Sequence, residues 1–223
     1  QGAALALKTA ADQAIAQRAL EFGVVYLRLA LNLEPTDENR FLIGQTLQQA
    51  DLEPAARAAL AQVGRRDVEL YAAARVQSAL SFQKDDQPDQ ALAELRLAAE
   101  ARPSAASIAY LLASQLVQMK RFDEALTLLN GPLLATPDQG FEVSFLRGAA
   151  YEALDRKPEA EAELWAALQK QPNNPTVLNY LGYLWVDSGV RVEQGAEMIA
   201  RAFAADPNDG NIQDSLGWAQ YRQ

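Results

Sequence analysis

Leu178-Asn179-Tyr180-Leu181-Gly182-Tyr183-Leu184-Trp185-Val186-Asp187 carries a Leu-Gly pair that comes back 35 positions later in Asp214-Ser215-Leu216-Gly217-Trp218-Ala219-Gln220-Tyr221-Arg222. Counted the other way, the glycine position is small in every earlier period: Gly148, Ala113, Ala79 and Gly44, spaced 34 or 35 residues apart. Prolines keep the same interval at Pro103, Pro137, Pro172 and Pro207, and Pro35 stands 68 residues before Pro103, with Glu69 in the skipped place. A third register runs through Gly23, Ala56, Ala91, Ala125, Ala160 and Gly195, followed four residues on each time by Leu27, Leu60, Leu95, Leu129, Leu164 and Ile199. Three registers that agree on one period define a repeat. A repeat of this length is one supersecondary unit, which buries its apolar face only by stacking on its neighbours.

Within a period the apolar residues fall on a helical stripe, as in Leu92, Leu95 and Ala99 or Leu164, Ala167 and Leu168, and not in strand alternation. Each period therefore holds two helices. The first ends near Asp51, Asp86, Asp155 or Gly189. The second opens with residues such as Gln87-Pro88-Asp89, Asp123-Glu124 or Lys157-Pro158-Glu159, since acidic groups suit the positive end of the helix dipole and proline is tolerated in a first turn. The repeating proline lies just beyond the second helix and stops it. Small residues late in the first helix and early in the second let two antiparallel backbones approach, and the Leu or Ile four positions on fills the space to the next pair. Gly131-Pro132 interrupts a second helix and is expected to kink or end it. Trp165 and Trp185 are read as core residues of the stripe.

Composition narrows the chemistry. The chain has 223 residues, 49% of them hydrophobic, enough to bury a sizeable core. It has no cysteine and no histidine, which excludes disulfides, thiolate or imidazole metal sites, Cys–His pairs and Ser–His–Asp triads. Twenty Lys+Arg against 29 Asp+Glu give a net charge of −9, and the basic residues do not cluster, so nucleic acid is not an expected partner. No stretch reaches ~20 apolar residues, so no direct membrane insertion is expected. Asp206-Pro207-Asn208-Asp209-Gly210-Asn211 lacks the glycine and glutamate placement of a calcium loop and reads as a turn, as does Asp85-Asp86. No phosphate-binding glycine motif is present. The expectation is no catalytic residue, no cofactor, no metal and no enzyme activity.

The pattern resembles the tetratricopeptide repeat (TPR) family. The residues that carry the likeness are Leu181-Gly182 with Trp185, Gly195 and Pro207, and Gly148 with Tyr151, Ala160 and Pro172; Leu216-Gly217 begins a further copy. The resemblance covers about residues 20–223 and implies an all-α fold, a right-handed alpha-alpha superhelix (TPR solenoid) of about six and a half helix-turn-helix repeats. One domain over residues 1–223 is expected. It would comprise a degenerate N-terminal repeat over 1–36, repeats over 37–71, 72–105, 106–140, 141–174 and 175–209, and a truncated one over 210–223. Residues 178–187 and 214–222 look like the C-terminal repeats of bacterial secreted tetratricopeptide proteins, including envelope adaptors that dock substrates onto carboxyl-terminal processing proteases. That likeness implies a periplasmic or outer-membrane-associated setting, with the cytoplasm as the alternative. Gln1 is not an initiator methionine, and Leu216 and Trp218 lack a following helix, so a longer chain is expected.

In the family the first helices line a concave groove. By resemblance, the fifth and ninth positions of each repeat give Phe41 and Gln45, Val76 and Leu80, Tyr110 and Ser114, Phe145 and Ala149, Asn179 and Tyr183, Asp214 and Trp218. Twelfth and thirteenth positions add Gln48, Gln49, Gln83, Lys84, Gln118, Glu152, Asp187, Tyr221 and Arg222. Aromatic rings and amides suit an extended peptide, because rings give contact area at low entropy cost and an amide can bond a peptide backbone both ways. The basic fifth positions of chaperone-binding members are missing, so an acidic C-terminus is disfavoured as ligand. The expected function is a noncatalytic adaptor or scaffold that binds a protein or extended peptide. The alternatives are a targeting arm of a larger enzyme and a scaffold that self-associates through its C-terminal helix.

Overall fold

The computed structural model describes residues 2–223, and among them are thirteen α-helices and no strand. They form two compact units, Gln1–Gln115 and Leu116–Gln223. The first holds α1 (Gly2–Ala16) packed on α2 (Leu20–Leu33), α3 (Asp37–Gln49) on α4 (Glu53–Leu60), and α5 (Val68–Lys84) on α6 (Pro88–Ala101). Most of α7 (Ala106–Gln118) belongs to it as well. The second holds α8 (Phe122–Leu129), then α9 (Phe141–Ala153) on α10 (Lys157–Lys170), α11 (Pro175–Ser188) on α12 (Val192–Ala205), and α13 (Gly210–Arg222).

The turns inside the pairs share one construction. Arg18, Asp51, Asp86, Lys120, Asp155 and Gly189 all have positive φ, between 54° and 71°. The next residue returns its N–H to a carbonyl five positions back: Ala19 to Ala14, Leu52 to Leu47, Gln87 to Phe82, Arg121 to Leu116, Arg156 to Tyr151 and Val190 to Trp185, all at 2.8–3.0 Å. This is the Schellman end of an α-helix, which closes its last carbonyls while reversing the chain. Four of the first helices begin differently, on side-chain caps. Thr36, Asp67, Asn174 and Asp209 accept from backbone N–H groups of α3, α5, α11 and α13. Asp209 thus does the work of a cap inside the stretch that superficially resembles a calcium loop.

The periodic residues fill the core. Leu27, Leu60, Leu95, Leu129, Leu164 and Ile199 are fully buried, as are Ala56, Ala91, Ala125 and Ala160. Gly182 and Gly195 show why the register demands small residues. A Cβ on Gly182 would stand 2.7 Å from the Gly195 carbonyl oxygen, and one on Gly195 would stand 2.6 Å from that of Gly182. One buried Arg–Glu pair in each unit ties a first helix to its second: Arg75 to Glu94 at 3.1 Å, and Arg147 to Glu163 at 2.9 Å. Burial pushes the Glu94 carboxyl above its ordinary range, even against the pull of Arg75.

Three expectations meet the structure with different results. α8 ends at Leu129, just ahead of Gly131-Pro132, as the proline requires. Trp185 is 4% exposed and core, whereas Trp165 is 45% exposed and is not. The physical reason is angular: Trp165 follows the buried Leu164 by one residue, about 100° round the helix, and the equivalent Arg28, Arg96 and Ala200 are exposed too. Leu216 and Trp218 are half-buried, packed against Val186, Ile199 and Ala219.

Gly182→Ala is expected to lower stability by ~1–3 kcal/mol, because its Cβ meets backbone that cannot rotate away. Gly217→Ala has open space around its Cβ inside α13 and is expected to gain ~0.5–1 kcal/mol from helix propensity. Urea denaturation of the two variants beside the parent checks both signs.

Candidate functional site

Within the C-terminal unit, three successive first helices frame a hollow of ≈ 510 Å³. Glu152 of α9, Asn179, Tyr180 and Tyr183 of α11, and Asn211, Asp214, Ser215 and Trp218 of α13 line it. No second helix contributes. The sequence register named Glu152, Asn179, Tyr183, Asp214 and Trp218, and the structure brings these five together. Tyr180 and Ser215 sit one position beyond the fifth residue of their repeats, and Asn211 lies at the second position. The fifth, ninth, twelfth and thirteenth positions of the register do not include those three.

The hollow is wetted unevenly. Asn179 is only 6% exposed, and its Oδ1 has no donor; the Trp218 Nε1–H has no acceptor. The aromatic rings are held from behind. Phe145 meets Tyr180 edge-on at 5.0 Å, which makes Phe145 a support and not part of the lining. Tyr221, 79% exposed, stacks on Trp218 at 5.5 Å. Arg222 also stands against that indole, 5.5 Å from its ring centre, and donates from Nη1 to the Asp187 carbonyl at 3.2 Å.

Charge in the hollow leans to one sign. Burial pushes the Glu152 carboxyl above its ordinary range; the Asp187 and Asp155 carboxylates push it further, and only Lys157 opposes them. Lys157 is itself shared between Asp187 at 3.6 Å and Asp155 at 3.8 Å. The phenols of Tyr180 and Tyr183 are raised by burial and then by nearby carboxylates, Glu152 and Asp209 for the first and Asp187 and Glu152 for the second.

In the N-terminal unit a smaller hollow of ≈ 340 Å³ is lined by Gln45, Gln48, Gln49, Glu53, Gln77, Leu80, Ser81 and Lys84. Its polar groups are largely occupied with one another. Gln48 Nε2 donates to the Gln77 carbonyl at 2.9 Å, and Lys84 bridges Asp51 at 2.6 Å and Glu53 at 2.9 Å, which raises the lysine's proton affinity. Gln83 Nε2 donates to Gln115 Oε1 at 2.6 Å. Phe41, named for the groove, packs instead against the core residues Leu60, Val63 and Ala74. On α7, Tyr110 and Ser114 are half-buried and Gln118 is exposed; none of them lines either hollow.

No protein-family model matches the chain. A TPR repeat-containing protein of Pseudomonas aeruginosa is 30% identical over 168 residues, which is 73% of this chain. The match is 25% of that protein, so the chain spans about a quarter of its relative's length. A tetratricopeptide repeat protein from Parabacteroides merdae superposes with a TM-score of 0.70 at 10% identity, covering 99% of this chain and all of the other. These are tetratricopeptide repeats. YrrB, described as a TPR protein with an unusual peptide-binding site, superposes with a TM-score of 0.68 at 16% identity, covering 86% of this chain and 97% of its own. At such identities the two structures speak for the fold, a tetratricopeptide scaffold of paired helices, with the hollow set in its first helices.

The raised Glu152 carboxyl carries a sign. A carboxyl whose folded pKa lies above its unfolded value of 4.5 adds stability below that value and loses it as pH rises through the folded one. Ionised Glu152 therefore opposes folding at neutral pH. Glu152→Gln is expected to raise the melting temperature at pH 7, with the advantage shrinking as pH falls toward 4.5. Parallel thermal melts of parent and variant across that range check the trend.

Proposed function

We propose that this tetratricopeptide chain is a noncatalytic protein-interaction scaffold, and that the hollow of its C-terminal unit holds an extended segment of a partner protein. The observation that carries the reading is the lining itself, where the Tyr180, Tyr183 and Trp218 rings of two first helices stand with the polar side chains of Asn179, Asn211 and Ser215. A peptide backbone offers N–H and C=O groups to such side chains, since amides and hydroxyls can both donate and accept. Tyr180, Tyr183 and Trp218 add ring area whose burial favours an extended chain over a small polar solute.

The peptide-binding site ascribed to YrrB supports the reading as a precedent within the same fold. The resemblance of residues 178–187 and 214–222 to envelope adaptors supports a finer form of it: in a bacterial envelope, the groove would hold a client segment for a carboxyl-terminal processing protease. The N-terminal unit by itself offers Gln45 and Gln49 as a separate contact in its own smaller hollow, since Gln48 and Gln83 are already bonded within the fold.

Peptides selected on the whole chain from a random display library are expected to lose at least tenfold in affinity for Tyr183→Ala, since an aromatic anchor is worth ~2 kcal/mol or more at an interface. Helicity should be retained, because Tyr183 is 36% exposed. The core control is Trp185→Ala, expected to cost ~3–5 kcal/mol of stability. Selected peptides that keep full affinity for Tyr183→Ala, and that shift the resonances of Trp165 and not of Trp218, would move the binding surface to the second-helix side and overturn the proposal.

A further inference from the structure

We infer that two copies of this chain pair through α2, whose exposed face carries Phe22, Val25, Leu29 and Leu33, in an antiparallel two-fold seam centred on Val25 that sets Glu21 of each copy against Arg28 of the other. The surface lies wholly within the N-terminal unit, and the inference does not depend on the peptide groove.

α2 buries Gly23, Val24, Leu27 and Ala30, with Val24 and Leu27 packed among Ala11 of α1 and Ile43 and Leu47 of α3. On its other side Phe22, Val25, Leu29 and Leu33 are all exposed, Phe22 at 63%. Steps of three, four and four residues keep them on one line down the helix, which is the seam of a paired helix and not the scatter of single apolar residues that any surface carries. The repeat does not call for them. At the same four places α12 has Gln194, Glu197, Arg201 and Ala205, and α10 has two alanines between Glu159 and Lys170.

The charges beside the line select a second copy as the partner. Glu21 and Arg28 are exposed, and neither is engaged in an ion pair among the described residues. Seven residues are nearly two turns, so both stand on one flank of the seam. In an antiparallel pair each flank faces the same flank of the partner helix. At about 1.5 Å per residue, Glu21 lies ~6 Å to one side of an axis through Val25 and Arg28 ~4.5 Å to the other, so each Glu21 comes level with the other copy's Arg28 to within ~1.5 Å along the helix. Packed helix axes stand about 8–10 Å apart, a gap that charged side chains flanking a seam bridge. The same axis sets Val25 on Val25 and Phe22 beside Leu29 of the other copy, so the apolar layers and both ion pairs fall in one register. A parallel pairing would oppose Arg28 to Arg28 and Glu21 to Glu21. The contact is thus isologous, and its short seam makes the dimer a reversible one.

Sedimentation equilibrium on the whole chain over a concentration series is expected to show a monomer–dimer equilibrium. Val25→Glu, at the axis, should leave a monomer that keeps the parent's helicity by circular dichroism. Glu21→Arg and Arg28→Glu, each alone, should weaken the dimer at least tenfold, because both ion pairs become like-charge contacts, and the double variant should regain the parent's affinity. That rescue reports the antiparallel register, which a change in fold stability would not restore. A parent that stays monomeric to millimolar concentration, a dimer untouched by Val25→Glu, or single and double charge variants that dimerise alike overturns the inference. A monomeric parent that instead co-sediments with phosphatidylethanolamine–phosphatidylglycerol vesicles, and loses them on Phe22→Ser, overturns it too and gives the stripe to a lipid surface.

Discussion

The approach of Gly182 to Gly195 is the contact on which the repeat depends. Each carbonyl oxygen occupies the space where the other residue's Cβ would be, so the two helices touch backbone to backbone. Helices that close leave a gap one turn further along, and Ile199 fills it completely. The same positions hold one glycine and one alanine at Gly148 and Ala160, and two alanines at Ala79 and Ala91, with buried Leu164 and Leu95 in the place of Ile199. Spacing between helices, and with it the distance from one first helix to the next, is thus set by residues without much side chain. The hollow in the C-terminal unit inherits its width from those contacts.

This explains what the sequence could reveal of the fold. Volume at a close contact is written in residue type, so the small-residue and leucine registers mark the pairs, and Gly131-Pro132 marks the early end of α8. A left-handed turn is written in backbone dihedrals, and residue type reports it unevenly. Asp51, Asp86, Asp155 and Gly189 tolerate that conformation and signal it, whereas Arg18 and Lys120 adopt it with no compositional mark, held by the N–H of the following residue. The turn of the N-terminal repeat, at Arg18, therefore carries no mark in the sequence. Trp165 failed for a different reason: large apolar surface says that a residue can be core, and only its angle on α10 says that it is not.

The site was legible to the extent that a register gives direction. Glu152, Asn179, Tyr183 and Trp218 line one hollow because the fifth, ninth and twelfth positions of consecutive first helices lie on the same side of the repeat. A register does not tell whether a side chain is free to act. Gln48 and Gln83 face the expected way and are spent on Gln77 and Gln115, and Phe41 turns into the core beside Leu60. Such internal bonds depend on partners about 30 residues away in sequence, and local pattern cannot show them. Tyr180 and Ser215 were missed because a helix face is wider than its ideal positions, so residues one place off still reach the wall.

Unpaired polar atoms alone do not identify a site in this chain. The Trp185 indole also lacks an acceptor, yet Trp185 is core and Arg191 covers its ring at 4.8 Å. The buried charges Arg75 and Arg147 likewise meet carboxylates on their own second helices, and those pairs tie the scaffold together. What sets the C-terminal hollow apart is its construction: Glu152, Tyr183 and Trp218 stand on α9, α11 and α13, three elements whose spacing the core already fixes. Small side chains at the helix contacts hold that spacing, so the lining keeps its width without a ligand. A surface spread over three rigid first helices is matched by a group long enough to touch all three, which is why the proposed occupant is an extended segment and not a compact solute.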